Sequence, residues 1–386
     1  MSHRRANGAM VVDSRDDAGE EMFIKKRLFI AAVSLIASAG AMTAPASADD
    51  GGASISSWGF PGEGSDWQPV TYAGGQITSR STPGEARDNR GNILHAWRGA
   101  DNDSIWISLN NGPAYSLPNA QTWTPPRVIW TDDGGRGNFR IFHTGTEGHV
   151  YQHRVQLSPS YQLPATLPNW TRIPNDTRTT DTEPVAAAAL PGNSFMLAWN
   201  SQSTDDIWTM YYNGDTGTYS SPSVVPGARS KDAPGLAAQV GTNADPAPWN
   251  QVVLAFTGTD NYVYMSRQRY GTGNWTNPFR VYATGTPGYT RNGPSVALSR
   301  SGYGVITITE DRDNTIGSYM ISRDGGWSGY YEENSFALSP GRTPLAVVAG
   351  TDLYYVINGS ASGKSGVLWK KVYDFAAMPT PSAPQW

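Results

Sequence analysis

Six polar side chains stand directly after apolar segments that recur along the chain. Each follows, by one or two positions, the aromatic or aliphatic anchor residue near the end of such a segment: Arg98, His143, Asn200, Thr257, Glu310 and Asn358. If the segments are equivalent strands of a ring, these side chains lie around one end of its axis. A ring that mixes Arg, His, Asn and Glu can hydrogen-bond many hydroxyl groups, as a sugar requires. The same side chains can equally well serve only to satisfy strand ends and buried water.

Two of these residues have the chemistry of an acid–base pair. His143 and Glu310 are candidates for base and acid in a polysaccharide lyase or a glycoside hydrolase. Hydrolysis needs two carboxyl groups about 5 to 10 Å apart, and no spacing in the sequence identifies such a pair, so the catalytic residues stay unknown. Arg98 offers a fixed fork of donors for a carboxylate or two hydroxyls. If one face carries a single site, we expect Arg98, His143, Asn200 and Glu310 to converge on it.

Nothing in the sequence points to a metal or a cofactor, and we predict neither. The chain has 0 Cys, which excludes disulfides and thiolate metal sites. His149 and His153 are four residues apart in a strand context, where that spacing does not make a metal pair. The Asp-rich turns at 132–135 and 311–314 lack the spaced ligands of a dedicated calcium loop. Phosphate loops, dinucleotide fingerprints and nucleophile elbows are also missing from the sequence.

A set of aromatic residues recurs in the strand that follows each anchor. Its members are Trp106, Tyr151, Trp208, Tyr264, Tyr319 and Trp369. An exposed ring of this kind can stack on the apolar face of a sugar, whereas a buried ring packs between sheets. For most of the six we expect packing.

The elements that position these residues are short strands in a repeated order. The anchors lie 45 to 57 residues apart, at Trp97, Phe142, Trp199, Phe256, Ile308 and Val356. A proline precedes the first strand of four copies, at Pro184, Pro234, Pro294 and Pro344. Propeller blades of four strands repeat every 40 to 50 residues or so, and 42 Gly with 27 Pro indicate frequent turns. We predict an all-β chain forming a β-propeller of about six, or seven, four-stranded blades, with a β-sandwich as the alternative.

The ends of the repeated region fit a closed ring. In other copies a Trp-x-x-Pro or similar unit follows the second strand and predicts a further strand, at 123–126, 170–174 and 275–278. The last copy lacks such a strand after it, and a spare one occurs at 67–70. We expect that strand to complete the blade that contains 354–369, because closure removes exposed edge strands. The propeller then spans 49–375, and 376–386 is a proline-rich tail.

Residues 1–48 have the pattern of an export signal. Basic residues at 25–27 precede an apolar run at 28–42 and the small-residue cleavage site at 46–48. The start is Met1 or Met22. A run of about 15 residues is short for a bilayer, so we expect a secreted protein with no membrane contact after cleavage. The net charge of -4 gives no reason to expect a nucleic-acid partner.

Small residues, Asp or Asn turns and aromatic strands recur together at 97–102, 145–151 and 257–264. In this the copies resemble the bacterial propeller lectins of the Photorhabdus lectin type, and more loosely the fungal fucose-binding lectins. The segment 322–327 resembles the Asp-turn of sialidases, a structural hairpin of several propellers. The resemblance implies a glycan-binding, lectin-like propeller with carbohydrate as its partner. The alternatives are a glycoside hydrolase or polysaccharide lyase with one site on the central face, and a protein-binding scaffold.

Overall fold

The computed structural model describes residues 67–374, except for 74, 133–134, 136, 168, 180–182, 240–250, 284–285, 288, 300–303, 312–313, 322–326, 334–342, 350–351 and 360–366. The predicted export signal, the predicted tail and most of the sialidase-like turn lie outside the described residues. The described part of the chain is all-β, and it contains no helix long and apolar enough to cross a membrane.

The strands are short, as expected from the frequent Gly and Pro. Up to residue 229 they are β1 (Gln68–Pro69), β2 (Thr71–Tyr72), β3 (Gly75–Gln76), β4 (Gly84–Arg87), β5 (Ile93–Arg98), β6 (Ser104–Leu109), β7 (Ala114–Gln121), β8 (Arg127–Thr131), β9 (Asn138–Thr144), β10 (Val150–Val155), β11 (Thr171–Arg172), β12 (Ala186–Ala189), β13 (Phe195–Asn200), β14 (Asp206–Asn213), β15 (Thr218–Tyr219) and β16 (Ser223–Arg229). From residue 235 they are β17 (Gly235–Gln239), β18 (Gln251–Thr257), β19 (Val263–Arg269), β20 (Phe279–Arg280), β21 (Tyr282–Ala283), β22 (Thr286–Pro287), β23 (Ser295–Leu298), β24 (Gly304–Thr309), β25 (Ile316–Ile321), β26 (Trp327–Glu333), β27 (Leu345–Ala349), β28 (Asp352–Gly359) and β29 (Val367–Asp374).

Most of these strands form antiparallel sheets of four or five strands, six of them within the described residues. In chain order their strands are β4-β5-β6-β7, β8-β9-β10-β11, β12-β13-β14 with both β15 and β16 on β14, β17-β18-β19-β20, β23-β24-β25-β26 and β27-β28-β29-β1. Below they are the first to the sixth sheet. In the sixth sheet β1 pairs with β29, with Gln68 opposite Lys370 and Pro69 opposite Trp369. The segments at 67–70 and 354–369 therefore share one sheet, as predicted.

The first strands of successive sheets lie side by side. β4 contacts β8, and the contacts continue through β12, β17, β23 and β27 to a contact between β27 and β4. Each of the four predicted prolines lies one or two residues before such a strand. The approach is close: a Cβ on Gly293 would lie 2.0 Å from the carbonyl oxygen of Ala233. Glycine is required there because any side chain would collide with this backbone atom.

The hydrophobic core lies between neighbouring sheets. Leu94 and Ile107 of the first sheet pack with Phe139 and Ile141 of the second, all of them fully buried. Each of the other pairs of successive sheets has a cluster of the same kind, including the sixth sheet with the first. Full burial of one such side chain contributes on the order of 1.5 to 3 kcal/mol. This packing, repeated between neighbouring sheets, stabilises the fold of a chain that has no disulfides.

Strand register corrects the predicted anchors. Three of them pair across the second and third strands with predicted aromatics: Trp97 with Trp106, Trp199 with Trp208, and Phe256 with Tyr264. In the second and sixth sheets the equivalent residue lies one position later than predicted, at His143 instead of Phe142 and at Ile357 instead of Val356. The predicted positions were wrong there because neighbouring residues are all apolar or aromatic, and a one-residue shift moves a side chain to the other face.

Candidate functional site

A residue at the end of the second strand, the last one or in β28 the last but one, fastens its sheet to the connector, the segment that leads into the first strand of the next sheet. In five sheets this residue donates a side-chain hydrogen bond of 2.6 to 3.0 Å to a connector carbonyl: Arg98 to Trp123, Thr144 to Glu183, Asn200 to Ser230, Thr257 to Asn292, and Asn358 to Ser79. The last of these bonds joins the sixth sheet to the connector of the first. Buried backbone carbonyls need such partners.

Four of the six predicted ligand-binding residues therefore occupy one equivalent position. Asn200, Thr257 and Asn358 are 2%, 1% and 3% exposed, and each bonds backbone. Thr144 completes the set and was missed by the sequence reasoning. Ligand contact by these residues stays a prediction, and the geometry supports a role in joining sheets.

His143 and Glu310, the other two predicted ligand-binding residues, do not occupy this position. His143 precedes the fastening position by one residue, so its side chain is on the opposite face of the strand. Glu310 follows β24 by one residue, is half-buried and begins a turn closed by the N–H of Asn314. Register thus does not place these two side chains with Arg98 and Asn200.

His143 has the surroundings of a packed aromatic ring. It is 3% exposed, stacks on Tyr151 at 5.4 Å and meets the edge of Trp170 at 4.1 Å. His153 lies 4.7 Å from the same indole. Burial lowers the pKa of His143 to about 3, with a further contribution from His153, and burial lowers the pKa of His153 to about 4. Both imidazoles are therefore neutral at physiological pH.

The sequence-predicted aromatics mostly pack. Trp106, Tyr151, Trp208 and Tyr264 are half-buried, and the hydroxyl of Tyr264 donates to Asp260 in the preceding turn at 2.8 Å. In the fifth sheet the equivalent position is Gly317, so the predicted position of Tyr319 was wrong by two residues. The side chain of Trp369 is outside what the structure describes.

Arg98 is the exception among the fastening residues because it also bonds an acid. Its Nε and Nη2 donate to Oδ1 of Asp103 at 3.0 and 2.6 Å, while Nη1 donates to the Trp123 carbonyl at 2.6 Å. The Arg98 hydrogen bond is the main reason why the pKa of Asp103 lies below its usual value. Asp103 is therefore a carboxylate, oriented by a forked, charge-assisted contact.

Trp123 hydrogen-bonds to the carboxylate of this pair and is itself exposed. It is 43% exposed, yet its Nε1 donates to Oδ2 of Asp103 at 3.2 Å. The flanking Thr122 and Thr124 are buried, and Thr122 holds the turn by accepting the Thr124 N–H at 3.0 Å. The indole is thus anchored at Nε1 by Asp103, and the turn around it is held by Thr122. Such a ring is a rigid platform.

Arg80 adds a second guanidinium to this group. Its Nε donates to the Ala100 carbonyl at 2.6 Å, its Nη1 lies 3.6 Å from Oδ1 of Asp103, and its side chain is 47% exposed. We call Arg80, Arg98, Asp103 and Trp123 the Trp123 cluster. A flat apolar face beside a carboxylate and exposed donors can hold a ring that carries hydroxyl groups.

The sequence did contain a signal for this site. In four connectors a Ser or Thr hydroxyl accepts the N–H two residues later, which leaves the middle residue exposed: Arg80, Trp123, Lys231 and Arg291. The recurring element is the flanking turn, followed by proline, and the middle residues differ in type. The predicted Trp-x-x-Pro unit mixed two positions, because Trp170 and Trp275 precede outer strands whereas Trp123 lies in a connector.

The described residues contain no group of three or more His, Asp or Glu side chains arranged to hold a metal ion.

No protein-family model and no curated protein matches this sequence. Solved structures match it by fold. AofleA from Arthrobotrys oligospora has a TM-score of 0.57 at 11% identity, covering 80% of this chain and 86% of that one. The fucose-specific lectin from Aleuria aurantia has a TM-score of 0.51 at 12% identity, covering 80% and 100%. The BP39L lectin from Burkholderia pseudomallei has a TM-score of 0.55 at 16% identity, covering 79% and 85%. These neighbours are β-propeller lectins, and at such identities the likeness shows the fold: this chain has the architecture of the propeller lectins.

Proposed function

We propose that this protein is a secreted, non-catalytic glycan-binding protein whose sugar lies on the Trp123 cluster. The observation that carries the proposal is Trp123 itself, an exposed indole whose edge is fixed by Asp103. A sugar ring stacks its apolar C–H face on such a platform, and its hydroxyls hydrogen-bond to the adjacent carboxylate and guanidinium groups. The solved neighbours support this ligand class, since the Aleuria aurantia protein is fucose-specific and SapL1 was solved with a methyl fucoside.

The proposed architecture is a closed propeller of six blades. Its support is the contact between β27 and β4, the pairing of β1 with β29 and the bond from Asn358 to Ser79. A further bond runs from Thr82 to the Thr343 carbonyl at 2.6 Å, between the connectors that lead into the first and sixth sheets. Export rests on the signal pattern of 1–48, and membership of the Photorhabdus lectin type rests on the sequence resemblance.

Binding is favoured over catalysis by the surroundings of the candidate base. His143 is buried under Trp170 and is a weak base, whereas general-base catalysis needs a group within hydrogen-bond reach of substrate and a pKa near the working pH. The Trp123 cluster contains one carboxylate, and hydrolysis by the common route needs two. A hydrolase or lyase acting elsewhere on the central face is the alternative that a cleavage assay decides.

A glycan array with the labelled mature chain tests the proposal. Trp123→Ala should weaken binding about 30-fold, because loss of a central aromatic contact costs about 2 kcal/mol. Tyr115→Ala is the matched control, since Tyr115 is 48% exposed on β7 of the same sheet and outside the cluster. It should bind as the unaltered protein does, and both variants should melt normally.

Three results would count against the proposal. Full binding by Trp123→Ala would place the sugar elsewhere. No binding of any glycan by folded protein would reject the function. New reducing ends released from the bound oligosaccharides would show that the protein is an enzyme.

A further inference from the structure

Most lone pairs of Asp103, the carboxylate acceptor of the Trp123 cluster, already accept a hydrogen bond. A carboxylate offers about four lone-pair sites. Arg98 occupies two of those on Asp103 through Oδ1, and the indole N–H of Trp123 occupies one on Oδ2. Asp103 can therefore take about one more hydrogen bond, which corresponds to a single sugar hydroxyl.

The donors of the cluster are largely free. A guanidinium carries five N–H groups, and within the described residues Arg80 has one hydrogen bond, from Nε to the Ala100 carbonyl. Its Nη1 lies 3.6 Å from Asp103, and the side chains are 47% and 30% exposed. An exposed ion pair of that length is weak. Arg80 therefore keeps most of its N–H groups available to a ligand bound beside Asp103.

The charges around Trp123 also favour a ligand that brings acceptors. Arg80 and Arg98 carry two positive charges against the one carboxylate of Asp103. Asp101 belongs to the same turn, but it is exposed and forms no ion pair with the residues described. Solvent screens an exposed charge of that kind more strongly than the forked contact of Arg98 with Asp103. Asp103 is thus shared by two guanidinium groups, and the surface beside Trp123 combines surplus donors with one guanidinium, that of Arg80, that is only weakly paired.

We infer that the sugar bound at the Trp123 cluster carries an anionic substituent, a carboxylate or a sulfate, and that Arg80 holds it. This inference rests on the proposed function and names its ligand class. A planar guanidinium binds carboxylate and sulfate oxygens through two parallel hydrogen bonds, which a lone hydroxyl cannot match. The anionic group binds the guanidinium of Arg80, the pyranose ring lies on the indole of Trp123, and one hydroxyl donates to Asp103.

The test compares acidic sugars with their neutral parents by calorimetric titration. The probes are methyl glucuronide, methyl glucoside 6-sulfate, methyl glucoside and methyl α-fucoside, each in low and in high salt. At least one acidic probe should bind ten or more times more tightly than methyl glucoside, and added salt should reduce that preference. The two acidic probes separate a carboxylate site from a sulfate site.

Arg80→Gln should weaken binding of the acidic probe at least ten-fold more than binding of the neutral parent, so that the preference is lost. Arg291→Gln is the matched control, because Arg291 has the equivalent connector position in the fifth sheet and pairs with Asp311 at 3.0 Å. It should keep the preference. Equal binding of acidic and neutral sugars by the unaltered protein would overturn the inference and leave the proposed function standing. Absence of all sugar binding by folded protein would overturn both, and an equal loss in the two variants would assign the effect to general surface charge.

Discussion

Stability should fall as pH rises, because a carboxyl group is buried between two connectors. Glu183 accepts the backbone N–H of Ala233 through Oε2 at 2.7 Å. Burial, together with a smaller contribution from the nearby charge of Asp232, raises the pKa of Glu183 to about 7. Burial also raises the pKa of Asp232, to about 6. Arg127 opposes the effect on Glu183 only partly, since it is the smallest of the contributions.

The magnitude follows from the difference between the folded and unfolded pKa. A rise from 4.5 to about 7 corresponds to about 3 kcal/mol at about 1.4 kcal/mol per pKa unit. Because the folded pKa is the higher one, this contribution is fully present below about pH 4.5 and is lost as pH rises through 7. His143 and His153 act in the opposite direction, since their folded pKa values lie below 6.5. Their contribution is present above pH 6.5 and is lost in acid.

Glu183→Gln isolates the effect, because Gln is neutral at every pH and its side-chain oxygen can accept the same N–H. The free energy of unfolding in urea, measured at pH 5.5 and at pH 8.5, should favour the variant at the higher pH by about 2 kcal/mol relative to the lower. Asp215→Asn, at an exposed carboxylate in a turn, is the control for loss of a surface charge. Parallel profiles for Glu183→Gln and the unaltered protein would refute the reasoning.

Three further perturbations test the packing. Asn358→Ala leaves the Ser79 carbonyl without its donor and should lower the free energy of unfolding in urea by about 1 to 3 kcal/mol; an unchanged value would mean that this bond does not hold the sixth sheet to the first. Gly293→Ala drives a methyl group onto the Ala233 carbonyl and should lower the melting temperature by about 5 °C or more, and a normal melt would show that the two connectors separate easily. His153→Phe removes an imidazole that must stay neutral, so the variant should lose less stability than the unaltered protein between pH 7 and pH 4 in thermal melts. The same loss in both would move the origin of acid sensitivity away from this histidine.

The sequence predicted the strands better than the site. Anchors such as Trp97 and Phe256 sit in apolar strands with turns on both sides, so their period is visible, and the strand at 67–70 was recognised from its Trp-x-Pro pattern. The strand register could not be predicted where adjacent residues are of similar type. Phe142 was therefore predicted at the position that His143 occupies. Nothing local distinguishes them, because the choice depends on which face the next sheet covers.

The candidate site was predicted only in part. Arg98 was expected to bind a ligand, and it is the one fastening residue that also orients an acid. Its partner Trp123 was assigned to an outer strand, because Trp-x-x-Pro occurs in both settings. Arg80 was not noticed at all. It lies 18 residues before Arg98 in sequence, and only the pairing of Ser79 with Gly99 brings it beside Asp103.

A crystal structure of the mature chain with its best-binding array glycan tests the central claim most directly. The account predicts a pyranose lying on the indole of Trp123, with one hydroxyl within about 2.7 to 3.2 Å of Asp103 and the guanidinium of Arg80 on the substituent at the other edge. A sugar bound instead around the first strands, next to Glu183 and Asp232, with Trp123 bare, would contradict it.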